Sequence, residues 1–224
     1  MYCDLPAVFV PSEYRVKQAT QRWEFEQAYA LRREVFCIEQ QVFVDDDRDE
    51  IDAEARLLVA VACVGGVLDQ VVGTVRIHEA QPGVWWGSRL AVHRAFRRHV
   101  GLGTTLIRLA VGTAHAQGCK TFLAHVQQQN AELFKRLHWN WLADEMLCGR
   151  PHCLMSAEVG WYAPCHDPAW GLAVHNGKHA DRVARTQEGG AHAVRIEIEA
   201  VGQTREIRET HLVAELGRDV GVPA

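Results

Sequence analysis

Residues 88–105 read Ser-Arg-Leu-Ala-Val-His-Arg-Ala-Phe-Arg-Arg-His-Val-Gly-Leu-Gly-Thr-Thr, and the order of residue types in them decides the fold. The apolar run ending at Val92 reads as a strand, and Gly101 and Gly103 mark a turn. From Gly103 to about Gln117 a helix follows, with Leu102, Leu106, Leu109, Ala110 and Thr113 on one face. A strand, a glycine-bearing loop and a helix together present unpaired backbone N–H groups at a helix N-terminus, where a pyrophosphate can approach the main chain closely. An ordinary strand-to-helix turn would use the same glycines for backbone geometry alone. The surroundings favour the anion: from Ala80 to Ala131 there is no Asp or Glu, while Arg89, Arg94, Arg97, Arg98, Arg108 and Lys120 are all cationic.

Working outward, Tyr14 to Ala19 reads as a first strand. Trp23 to Val42 reads as a helix, with Phe25, Ala28, Leu31, Val35, Ile38 and Val42 at helical spacing. Ala55 to Val64 and Gln70 to Ala80 are strands joined through Gly65-Gly66, and Val84 to Val92 is a third strand of that meander. Beyond the helix, Thr121 to Val126 is strand-like and Asn130 to His138 is a short helix with Leu133, Phe134 and Leu137 inward. Trp141 to Leu147 and Cys153 to Val159 are two further strands. The pattern loses period from Gly160 to Ala193, which places a boundary near residue 160 and leaves residues 161–224 as an extension of unknown role. Within it Val194 to Val201 alternates like a strand, and Arg205 to Leu216 reads equally as strand or helix.

Composition removes several classes. A formal net charge of -4 argues against a dedicated nucleic-acid binder. The apolar run Leu57 to Leu68 is far short of the roughly 20 residues that cross a bilayer. Met1 to Val16 lacks the basic and apolar regions of a secretory signal, and Cys37, Cys63 and Cys119 sit among apolar neighbours as reduced thiols do, so the expected location is the cytoplasm. Asp45 to Asp52 holds six acids and one arginine, a run that either draws cationic substrates toward a cleft or is simply solvated. Cys148, His152, Cys153, Cys165, His166, His175 and His179 invite a zinc reading, but no Cys-x-x-Cys pair supports it and no metal is expected. No serine lies in a Gly-x-Ser-x-Gly elbow, which weakens a hydrolase reading.

Arg98, Gly101 and Gly103 match the Gln/Arg-x-x-Gly-x-Gly/Ala motif of the GNAT superfamily of N-acetyltransferases, which the chain resembles from about Tyr14 to Val159. The Arg89-Leu90-Ala91-Val92 strand before the loop, and Asn130 followed by Phe134 after it, match as well. The helix Leu31-Arg32-Arg33-Glu34-Val35-Phe36-Cys37-Ile38-Glu39-Gln40 is similar to the ElaA-like branch and, more distantly, to acyl-homoserine-lactone synthases. The whole pattern also resembles the GNAT proteins of nitrilase and nitrogen-starvation gene clusters. The resemblance implies an α/β acyl-CoA fold over residues 14–160, with a mixed, mostly antiparallel sheet of six to seven strands flanked by helices.

It further implies transfer of an acetyl group from acetyl-CoA to an amine of a small molecule or peptide, by direct attack in a ternary complex. A homodimer is left open, and neither a nucleic-acid partner nor a membrane is expected. The main chain of Leu90, Ala91 and Val92 would hold the pantetheine arm, and an N–H near Val92 would polarise the thioester carbonyl. His99, Val100, Gly101, Leu102, Gly103 and Thr104 would hold the pyrophosphate, with charge from Arg97 or Arg98; Asn130 and Phe134 would flank the cofactor. An attacking amine must be neutral, so a base is needed. Trp86, which cannot serve, stands where histone-type family members carry that base on the strand before the loop. Glu39 is favoured in its place, with Glu79, His78 and His125 as alternatives, and each of these is equally readable as a structural side chain. Lys135 occupies the position of the usual thiolate-protonating tyrosine and is read either as that acid or as a solvated helix lysine. The competing class is a non-catalytic acyl-CoA-binding or sensing module; lactone synthesis is a third reading.

Overall fold

Three strands carry the centre because their sequences are apolar on both faces. β2 (Arg56–Val64) sends Leu58, Ala60 and Ala62 to one side of the sheet and Leu57, Val59 and Val61 to the other, all buried. β3 (Val67–Gln81) and β4 (Val84–Val92) continue the meander, and β1 (Glu13–Gln18) pairs antiparallel with β2. The computed structural model describes residues 11–97 and 101–176. Its remaining strands are β5 (Thr121–Gln127), β6 (Trp139–Leu147), β7 (Arg150–Ala157) and β8 (Leu172–His175). They form one eight-stranded sheet in the order β6-β7-β5-β4-β3-β2-β1-β8. Among the described strands only the β4–β5 pair is parallel.

Helices cover the two faces unequally. α1 (Arg22–Arg33) packs Ala28 and Leu31 against Leu57, Val59, Val61 and Val71 on one face. α2 (Leu102–Ala116), the crossover from β4 to β5, packs Leu106, Leu109 and Ala110 on the other, together with α3 (Ala131–Arg136). Each apolar stripe follows the helical spacing, so burial of the stripe and not propensity alone holds these helices. The mixed, mostly antiparallel sheet flanked by helices that the sequence leads one to expect does form, with eight strands in place of six to seven.

Two features depart from the expected elements. The first helix does not run regularly to Val42. It widens into a π-helical turn at Glu34–Glu39, where Gln40 N–H reaches Val35 carbonyl at 3.0 Å, and stops before Gln41, whose φ is 52°. The eighth strand comes from beyond residue 160. Tyr162 is buried and its hydroxyl donates to the Leu137 carbonyl while accepting from Trp139 Nε1 at 3.0 Å. Cys165 N–H donates to Gly112 carbonyl at 2.8 Å, and β8 then pairs antiparallel with β1. Gly171 makes this possible: its φ is 69° and a Cβ there would collide with the Val16 carbonyl. The strand-like Val194–Val201, the Arg205–Leu216 segment and His179 lie outside the described residues.

Candidate active site

The parallel ladder between β4 and β5 is short. It pairs Val84, Trp85 and Trp86 with Thr121, Phe122 and Leu123, and from Gly87 onward the strands part. A bulge in β4 accompanies the parting: Arg76 pairs with Ser88 and Thr74 with Ala91, so Arg89 and Leu90 together oppose Val75. Arg89 takes φ of 54°, the left-handed region, which is strained for a residue with a side chain.

The Arg89 side chain holds that conformation in place. Its Nε and Nη2 donate to the Asp47 carbonyl at 3.0 and 2.8 Å, and Nη2 also donates to Asp49 Oδ2 at 2.9 Å. Arg89 Nε lies 3.0 Å from Asp47 Oδ2, the oxygen that accepts from Arg32 Nε at 2.8 Å. Arg32 also grips both oxygens of Asp52, at 2.5 and 2.9 Å, and Arg76 donates to Asp49 Oδ1 at 2.5 Å and to Ser88 Oγ at 2.7 Å. Three arginines and three aspartates thus neutralise one another in a site where Arg32, Arg76, Arg89 and Asp47 are all buried. Burial would raise the Asp52 carboxyl, but the hydrogen bonds and charge of Arg32 outweigh it and hold the group below its usual range. The acidic run is therefore neither a purely solvated loop nor a free steering patch: Asp47, Asp49 and Asp52 turn inward, and Asp46 is taken up by Arg48 at 2.6 Å.

The candidate cofactor residues line the gap. Leu90, Ala91 and Val92 are buried on the strand whose β5-facing edge has no strand partner among the described residues. His93 N–H bonds to Val72 carbonyl on β3, so the N–H and carbonyl of Val92 face the other way, into the gap. Gly101, with φ of 62° and ψ of 34°, caps α2 in the left-handed conformation that glycine adopts without strain. The first turn of α2 carries no acid and no side-chain cap, leaving the N–H groups of Leu102, Gly103 and Thr104 open to an anion. Across β5, Asn130 is 1% exposed and its amide Nδ2 has no hydrogen-bond partner. A buried donor of that kind is costly unless a ligand or water meets it. Arg98, His99 and Val100 lie outside the described residues.

The other candidates divide. Arg97 and Glu39 come together, but as a pair: Nη1 and Nη2 bind the two carboxylate oxygens at 2.6 and 2.5 Å while Arg97 Nε donates to Val92 carbonyl at 2.9 Å. Glu39 thus anchors the rim of the gap through Arg97 and does not present a bare carboxylate to a substrate. Phe134 is buried in the core, edge-on to Trp139 at 5.0 Å. Lys135 stands on the exposed side of α3, bonded to Glu132 at 2.7 Å, a contact that raises its pKa; a lysine so placed does not deliver a proton into a cleft. Glu79 is not at the site. It pairs with Trp85, seven residues before Val92 and so roughly 20 Å away along the strand, where its Oε1 accepts from Gly83 N–H at 2.7 Å. His78 lies opposite Trp86 on β3.

One further cluster occupies the face of β5, β6 and β7 that α2 and α3 leave uncovered. His125 opposes Leu154, and Gln127 opposes His152, which in turn opposes Glu145. His125 is fully buried, its Nε2 lies 3.0 Å from Glu145 Oε2, and its ring sits 4.9 Å from that of Trp86. Burial raises the Glu145 carboxyl. Next to this cluster is a cavity of about 560 Å³ lined by Gln127, Gln128, Gln129, Arg150 and Pro151. His125 was among the candidates readable in the sequence; its carboxylate partner was not, because β7 lies between their strands.

Among the described residues no three or more His, Cys, Asp or Glu side chains converge as metal ligands, and Cys153 Sγ contacts Asp144 Oδ1 at 3.5 Å. No described helix is long and apolar enough to cross a membrane.

A bulged β4, a gap beside it and an anion-ready helix start make a face that could receive an extended chain and its phosphates, as an acyl-CoA-using transferase requires. The Acetyltransferase (GNAT) family profile matches residues 16–139, more than half of the chain, and the chain belongs to that family of N-acyltransferase enzymes. A Bacillus subtilis (strain 168) protein named as an inferred acetyltransferase is 27% identical over 150 residues, covering 64% of this chain and 95% of that protein. A crystal structure of an inferred N-acetyltransferase from Lactobacillus plantarum shares the fold with TM-score 0.58 and 20% identity, over 64% of this chain and 97% of that one. Escherichia coli ElaA does so with TM-score 0.54 and 18% identity, over 65% and 98%.

Proposed function

We propose that this chain transfers the acetyl group of acetyl-CoA to the neutral amine of a small molecule or peptide, by direct attack while both substrates are bound. The observation that carries the reading is the gap opened at the Arg89 bulge, continuous in chain order with the uncapped start of α2. The main chain of Leu90, Ala91 and Val92 holds the pantetheine arm as an added strand would be held. The gap-facing Val92 N–H donates to the thioester oxygen as negative charge develops on it. The N–H groups of Leu102, Gly103 and Thr104, with Arg98, His99 and Val100 just before them in the sequence, hold the pyrophosphate, and Asn130 Nδ2 supplies a further donor.

On the amine side, the imidazole of His125 takes the proton released as the amine nitrogen bonds to the carbonyl carbon, and Glu145 stabilises the imidazolium that results. The carbon–sulfur bond breaks and the thiolate leaves, to be protonated from water. Orientation of the two substrates in one site supplies much of the acceleration. Free-thiol release from acetyl-CoA, compared across amines, amino acids, polyamines and aminoglycosides, is the test. At least one class should release thiol, and His125→Gln should lower kcat by about 10²–10⁴-fold, the usual worth of a positioned base. Acetyl-CoA binding with no thiol release for any acceptor would leave only a binding module.

A further inference from the structure

The acceptor face is polar in an asymmetric way. At its inner end are His125 and Glu145, which receive an amine and its proton under the reading above, on which this inference rests. At its outer end the cavity is lined by three consecutive amides, Gln127, Gln128 and Gln129, and by one charged side chain, Arg150. The ionic character of that outer end is therefore cationic.

Arg150 differs from the other arginines near the site. Arg32, Arg76, Arg89 and Arg97 are each committed to a carboxylate of this chain. Among the described residues Arg150 has none; its contact to the Gln40 carbonyl, at 3.5 Å, is too long for more than a weak hydrogen bond. It lies at the end of β7, two residues from His152, whose cross-strand partner is Glu145. Successive same-face positions on a strand are about 6.6 Å apart, so the backbone of Arg150 stands one such step from the level of Glu145 and two from that of His125, which opposes Leu154, a separation that an arginine side chain extended along the strand can bridge to an amino acid.

We propose that the acceptor is an amino acid with a free carboxylate, its carboxylate taken bidentately by Arg150 and its amino group directed at His125 and Glu145. A guanidinium fork matches a planar carboxylate in geometry as well as charge, whereas it repels a polyamine or an aminoglycoside that brings only cations. The recess is open to solvent along the exposed Gln128, Gln129, Arg150 and Pro151, so a small amino acid can reach the guanidinium directly.

Matched acceptors test this: L-phenylalanine against its methyl ester and against phenethylamine, and L-methionine against its methyl ester, each by thiol release from acetyl-CoA. The free acids should exceed the esters at least tenfold in kcat/KM. Arg150→Gln should raise the acid KM about tenfold and bring acid and ester level, and Arg150→Lys should restore part of the difference. A second arm measures equilibrium binding of the same compounds to protein saturated with coenzyme A. Turnover of esters and decarboxylated amines as good as that of acids overturns the inference and leaves the transfer reading intact. Arg150-dependent binding of acids without thiol release overturns the transfer reading, and with it the acceptor role, and leaves standing only the recognition of a carboxylate by Arg150. Neither turnover nor carboxylate-dependent binding overturns both.

Discussion

Asp47→Asn is the perturbation that most sharply separates a buried ionic lock from an ordinary acidic loop. The Asp47 Oδ2 atom lies 2.8 Å from Arg32 Nε and 3.0 Å from Arg89 Nε, and its side chain is fully buried, so removing its charge leaves three buried guanidinium groups, of Arg32, Arg76 and Arg89, sharing Asp49 and Asp52. Breaking a buried pair by removing one partner costs about 3–5 kcal/mol, against a total stability of about 5–15 kcal/mol for a domain. At about 2–4 °C per kcal/mol for a chain of this size, the melting temperature should fall by roughly 6–20 °C. Urea unfolding followed by tryptophan fluorescence should show the midpoint shifted with the slope unchanged. Asp45→Asn, an exposed position in the same run, should stay within about 0.5 kcal/mol of the parent. Arg89 holds the bulge, so Asp47→Asn should also raise the KM for acetyl-CoA more than it lowers kcat. A loss below about 1 kcal/mol for Asp47→Asn would refute the lock.

Gly101→Ala places a side chain at φ of 62°, and it should cost about 1–2 kcal/mol and weaken acetyl-CoA binding as measured by titration calorimetry. Glu24, fully buried, has its carboxyl raised by desolvation but lowered more by hydrogen bonds from Lys17 at 2.6 and 2.8 Å and from the Thr20 and Gln21 N–H groups, for a net lowering. Between the folded and the higher unfolded pKa the unfolded chain binds more protons, so this stabilisation is present above the unfolded value near 4.5 and is lost as pH falls through the folded one. Glu24→Gln should therefore flatten the acid limb of a stability-against-pH curve measured by urea midpoints. Lys135→Ala, on the exposed face of α3, should leave kcat within about twofold in the thiol-release assay; a loss beyond tenfold would return it to the chemistry.

The parts of the fold that the sequence announces are those where burial is continuous. β4 is read to both ends, Val84 to Val92, because both its faces are apolar and a Pro-Gly turn precedes it, and α2 is placed to within a residue by its stripe. The left-handed Arg89 has no such signal, since its conformation is imposed by aspartates some forty residues earlier in the chain. A clue was nonetheless present. Arg32, Arg76 and Arg89 each stand beside apolar residues, and arginines buried in such runs require carboxylates, which Asp45 to Asp52 supplies. Glu39 looks like a base when read alone, because the partner that occupies it, Arg97, is 58 residues away. The His125–Glu145 contact was hidden by the crossed order β5-β7-β6, which no local spacing encodes. β8, only four residues long, is held by its pairing with β1 and not by any period of its own.

That last strand has a bearing on how the protein behaves in solution. Without it, β1 would end the sheet with an open row of N–H and carbonyl groups above the buried Tyr14 and Val16, a template onto which another chain could add. The opposite border is guarded differently: β6 breaks register between Trp141 and Ala143 and carries Asp144 and Glu145, both of which discourage edge-to-edge pairing. A shortened version ending before Gly171 would keep every residue of the candidate site and still be prone to clump. Its inactivity in an assay would then reflect colloidal failure rather than damage to the chemistry.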